Sequence, residues 1–285
     1  MRFVLVATLF LSLASPISAA SSDIDLFVPV AGHGRQAGGR VFDTTLWITN
    51  SGNTPAHVTL QFLRAMQSNP SPHTTTFTLA PSATRVFDPI SRDLLGIDEG
   101  VGAIRIRSDQ ALLAAVRAFT RVESEPRSRA VATTFNAIPA RFAIGNGQTA
   151  IAQGVTLDPA AERNRLYVVE TAGQPLTYSL AIVDANGNTV AQKAFYITAF
   201  EERSIDVGDE FPNLRVDHAI ARVRGMNGNG RIIFAGTQIA RDSQDGNAYE
   251  MSYVNEPRVR MPIGEIVAYV IVACAVIIAA AVYRR

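Results

Sequence analysis

The feature that most constrains this chain is an internal repeat. The stretch "LWITNSGNTPAHVTLQFL" (residues 46–63) returns without a gap as "LYVVETAGQPLTYSLAIV" (166–183). Leu46 aligns with Leu166, Trp47 with Tyr167, Pro55 with Pro175, Leu60 with Leu180 and Phe62 with Ile182. Three further blocks keep the order: "FTLAPSATRVFD" over "FYITAFEERSID", "IRIR" over "ARVR", and "LLAAVRAFTR" over "IIFAGTQIAR", at offsets of 117 to 120 residues. Such a chain must accommodate one strand plan twice, in two homologous units of roughly 100 residues each.

Each block alternates as a half-buried strand does. Val58, Leu60 and Phe62 share one side while Thr59 and Gln61 share the other, and Tyr178, Leu180 and Ile182 repeat the inward set. The breaks "NSGNTP", "DANGNT", "GMNGNG" and "DSQDGN" carry the Asn, Asp and Gly residues that tight turns with positive φ require. No sustained helical period intervenes; "ISRDLLGID" and "GDEFPNL" are each expected to give one helical turn. The pattern predicts an all-β chain of two antiparallel β-sandwich domains, residues 21–130 and 131–256. The apolar "TTFNAIPARFAIG" is expected to open the second of them.

The series "FVPVAGHG…TTLWITNSGNTPAHVTLQFL…FTLAPSATRVFD…GAIRIRSDQALLAAVRAFTR" resembles the tandem β-sandwich modules of secreted and surface bacterial proteins, loosely related to immunoglobulin-like and CARDB-type adhesion modules. The resemblance spans about residues 26–245. It implies an adhesive, scaffolding or accessory role and brings no catalytic residues with it.

The ends suggest where such modules would work. Residues 1–20, "MRFVLVATLFLSLASPISAA", have the layout of a signal peptide: an Arg, an apolar run, then small residues at the cleavage point. Within residues 257–285, "IVAYVIVACAVIIAAAVY" is uncharged and, as a helix, long enough to cross a bilayer. The expected protein is therefore single-pass and envelope-anchored, with its domains outside the cytoplasm and Arg284 and Arg285 inside. A helix followed by Arg-Arg also resembles a processed sorting signal, but no LPxTG or Pro-Glu-Pro motif precedes it. The one cysteine, Cys274, lies in this run, so no intrachain disulfide forms and stability rests on hydrophobic packing. A net charge of +1 gives no general attraction to nucleic acid.

Chemistry-bearing patterns are sparse. "GHGRQAGGR" lacks the Lys-Ser/Thr of a phosphate loop and reads as a flexible loop. The histidines at 33, 57, 73 and 218 share no metal-ligand spacing, and "DANGNT" places its glycine wrongly for a calcium loop and reads as a hairpin turn. No G-x-S-x-G elbow occurs, and the adjacent acids Glu201 and Glu202 read as solvated. No catalytic residue, metal ligand or cofactor is assigned, and an enzyme is not expected. The one polar feature that repeats is Arg-x-Arg: Arg105 and Arg107, then Arg222 and Arg224. On strands each pair lines one face, a basic ladder suited to an anionic envelope glycan or an acidic surface partner. Differences between copies, above all Trp47 against Tyr167 and Asn50 against Glu170, are where a difference in partner is expected. The alternative role is an accessory subunit of a membrane complex, with Ala273, Ala275, Ala279, Ala280 and Ala281 permitting close helix approach.

Overall fold

In the computed structural model, the described residues are 22–36, 38–90, 94, 96, 99–158, 160–241 and 246–253. The export signal and the C-terminal helix expected from the sequence lie outside them. Among the described residues no helix is long and apolar enough to cross a membrane. The described chain is nearly all β, and its strand ladders are antiparallel in each register described, with two isolated parallel bridges, Ala65 to Glu202 and Asn146 to Gly225.

The first group of strands comprises β1 (Asp23–Gln36), β2 (Arg40–Asn50), β3 (Ala56–Arg64), β4 (His73–Leu79), β5 (Thr84–Phe87), β6 (Gly100–Val122), β7 (Val131–Asn136) and β8 (Ile138–Pro139). Strand β6 is long enough to serve two layers. Its first half lies between β3 and β1, extending the order β4-β3-β6-β1-β8, while its second half lies between β2 and β7, giving β5-β2-β6-β7. The second group comprises β9 (Thr149–Leu157), β10 (Glu162–Glu170), β11 (Leu176–Val183), β12 (Thr189–Ile197), β13 (Glu202–Asp206), β14 (Val216–Gly228), β15 (Ile232–Ala240), β16 (Gly246–Glu250) and β17 (Ser252–Tyr253). These form two sheets, β12-β11-β14-β9-β17 and β13-β10-β15-β16.

The two groups follow one plan, strand for strand. The halves of β6 correspond to β14 and β15, which are separated by a break at residues 229–231. Registers carry the sequence alignment: Leu46 faces Phe87 and Val116, and Leu166 faces Ile205 and Gly236; Leu60 faces Ile106, and Leu180 faces Val223. The break rests on close backbone approach. A Cβ at Gly228 would lie 2.4 Å from the Pro175 carbonyl oxygen, and one at Gly230 would lie 2.3 Å from that of Gln174.

Residues 131–139 behave differently from the sequence expectation. They do not pair within the second group; β7 pairs with β6 and β8 with β1, closing the first group instead. The apolar run was legible, but a strand's partner is set by long-range register, which hydrophobicity does not encode. "GHGRQAGGR" is likewise no loop throughout: β1 continues to Gln36, and Gly38 and Gly39, both at positive φ, form the turn into β2. "DANGNT" is the β11–β12 hairpin turn, held by Asp184 Oδ1 accepting from the backbone N–H groups of Asn186 and Asn188.

The groups meet across an apolar junction within one compact unit. Leu166, Val168, Ile232 and Phe234 fill the interior of the second group, while the opposite faces of β10 and β15 present Tyr167, Val169, Ile233 and Ala235 to the core of the first. Both faces of this strand pair are covered, which explains its unbroken run of buried residues. Polar seams flank the contact. Glu202 O accepts from Met66 N at 2.7 Å, and Ala199 O from Asn69 N at 3.1 Å. Glu250 Oε1 accepts from Asn136 N at 2.8 Å.

Candidate functional site

The repeated Arg-x-Arg pairs differ in how far their members are held by the fold. Arg105 is bound up: its Nε and Nη2 donate to Asp25 at 2.9 and 2.7 Å, and its guanidinium carbon lies 5.4 Å from the Phe27 ring centroid and 5.1 Å from that of Phe200. A strand arginine beside an aromatic residue and a carboxylate is a structural clamp, and Phe200 ties it to the second group. Arg107 and Arg224 are exposed and Arg222 is half-buried, and none of the three makes an ion pair among the described residues.

Arginines do converge at the junction. There a cleft of about 270 Å³ opens between the β2-β6-β7 layer and the outer face of β10 and β15. The two-residue strand period aims alternate side chains into it: Arg163, Arg165 and Tyr167 from β10, with Thr237, Ile239 and Arg241 from β15 and the segment just after it. Arg40 enters from β2, making four guanidiniums in a lining that, among the described residues, contains no carboxylate. Asp206, paired across from Arg165 on β13 and on the same sheet face, lies 3.2 Å from Arg163 Nε and 3.9 Å from Arg165 Nη2 and orients both. The floor is apolar, with Phe135 and Tyr167 in an edge-to-face pair at 6.2 Å. Burial pushes the Tyr167 hydroxyl's pKa up, so it stays protonated. Such a site favours an anion carried on a partly apolar body.

Sequence reasoning missed these arginines because it looked for what repeats. Arg163 and Arg165 form an Arg-x-Arg of their own, aligned with Asp43 and Thr45 in the first copy. Comparison of the copies for lost rather than shared charge would have found them.

The expected partner differences have structural causes instead. Tyr167 is 8% exposed because it faces the junction, whereas Trp47 is only partly buried. Asn50 and Glu170 are fully buried organisers of equivalent turns with inverted polarity. Asn50 Nδ2 donates to the carbonyls of Thr54, Leu79 and Ala80, while its Oδ1 accepts from Gly52 N. The Glu170 carboxylate accepts from four backbone N–H groups, those of Ala172, Gly173, Phe200 and Arg231, at 2.8 to 3.1 Å.

Glu201 and Glu202, read from the sequence as solvated, are both buried. Glu201 accepts from Thr198 and Arg203. Glu202 accepts one bond from Ser204 Oγ, and burial pushes its pKa up to about 8. Adjacent strand residues point to opposite faces, but here the junction covers the second face as well. Among the described residues no group of three or more His, Cys, Asp or Glu is placed to hold a metal ion.

No family model matches the chain, and no curated protein matches it. Among solved structures, it is similar to a "putative secreted protein" from Parabacteroides distasonis ATCC 8503. The identity is 10% over 81% of this chain and 89% of that one, with a TM-score of 0.20. At that level the architecture rests on the strand pairings described above.

Proposed function

We propose that this is a non-enzymatic protein of the cell envelope that acts by binding or adhesion. It displays two tandem immunoglobulin-like β-sandwich modules between an export signal and one C-terminal membrane helix. The observation that carries this reading is the junction: two copies of one strand plan share an apolar contact, and a charged cleft opens beside it. An apolar junction favours a fixed presentation of both modules, which suits display and adhesion.

The test is affinity capture of cell-envelope material by the full chain in mild detergent, with fractionation of the producing cells. Retention of a defined envelope component, together with sedimentation of the chain with membranes, is expected. Recovery of the chain in the cytoplasmic fraction, or turnover in a hydrolase screen, would contradict the reading.

A further inference from the structure

We infer that the junction cleft binds an acidic sugar residue of an envelope polysaccharide. This assignment rests on the reading of the chain as a binding protein and names the ligand class its cleft takes.

The charge comes first. Among the described residues the lining carries four guanidiniums and no carboxylate. Each guanidinium has five N–H donors, whereas Asp206, the one carboxylate within 4 Å of Arg163 and Arg165 among the described residues, offers about four acceptor sites. Most of the donors on those two arginines are thus left over, in the fork geometry that matches a carboxylate. Their side chains are 49% and 34% exposed, so a ligand reaches them from solvent. The apolar floor beneath lowers the local dielectric and strengthens each ion pair.

Hydroxyls and shape narrow the class. Thr120, Thr133 and Thr237 stand in the lining among the arginines, so donors and acceptors for sugar hydroxyls accompany the charge. Half-buried Phe42 offers an aromatic surface to the C–H face of a ring. A volume of about 270 Å³ suits one ring with its chain continuing outside. An acidic peptide is less well served. Arg165–Val169 of β10, Ala235–Ile239 of β15 and Ala115–Thr120 of β6 are paired on both sides, so most of the cleft wall offers no backbone to extend a ladder, and the outer edge of β7 is what the peptide probe tests.

Calorimetric titration of the full chain in mild detergent tests the assignment. The probes are trigalacturonate, triglucuronate, methyl-esterified trigalacturonate and a hexaglutamate peptide. At least one free uronate is expected to bind, with affinity lowered roughly tenfold by esterification and by the double variant Arg163→Gln/Arg241→Gln. The variant Arg107→Gln/Arg224→Gln, on exposed strand faces, is expected to bind as the parent does. Thermal unfolding of both variants checks the fold, and Arg163→Lys, which keeps charge without the fork, is expected to fall between parent and double variant. Equal binding of the ester, tighter binding of the peptide, loss on the Arg107/Arg224 variant alone, or no uronate binding each overturns the assignment. Envelope capture separates the two readings: if it persists when uronates fail, the binding role stands and the cleft is not its site.

Discussion

At the residue scale, the clearest stabilising device is Glu170. Its carboxylate serves four backbone N–H groups that converge from its own turn, the residue 200 turn and the start of β15. Glu170→Ala strands those donors and is expected to destabilise the chain by about 3 kcal/mol or more, read from denaturant unfolding. Glu202 works the other way. Its folded-state pKa of about 8 lies above the ordinary 4.5, so between those values the native state holds a proton that the unfolded chain releases. The stability from this group is fully present below about pH 4.5 and is lost as pH rises toward 8. Glu202→Gln is expected to flatten the fall in stability between pH 5 and 8 relative to the parent, by on the order of 3 kcal/mol across the window. Parallel pH profiles for the two chains would contradict that.

At the element scale, β10 and β15 bear the most constraint. Over Leu166–Val169 and Ile232–Ala235 their inward residues fill one core and their outward residues the junction, so neither face tolerates charge there. Ile233, fully buried on the outward face, is the direct probe. Ile233→Ala is expected to cost about 2–5 kcal/mol and to speed proteolysis at the polar stretch 123–130, measured by limited digestion. The alternation of these strands was legible in the sequence, and so were the turns "NSGNTP" and "DANGNT". Burial of both faces was not, because a repeat alignment predicts what each copy does alone and Val169 or Ile233 looks the same facing solvent or a neighbour. The same blindness hid the partners of β7 and β8, and it made Asn50 and Glu170 resemble surface differences when they organise buried turns.

At the scale of the whole molecule, two copies of one strand plan are joined through the positions at which they differ. Arg163 and Arg165 stand on one wall of the cleft where the first copy has Asp43 and Thr45, and the outward face of the second copy forms the apolar junction. The candidate site thus belongs to neither copy alone, which is why a search for repeated charges found the clamp at Arg105 and passed over the cleft. Differential scanning calorimetry of the full chain tests this joining most directly. One cooperative transition is expected for the β-rich body, with calorimetric and van't Hoff enthalpies in agreement and with Ile233→Ala lowering its midpoint as a whole. Two separate transitions, only one of them shifted by Ile233→Ala, would contradict it.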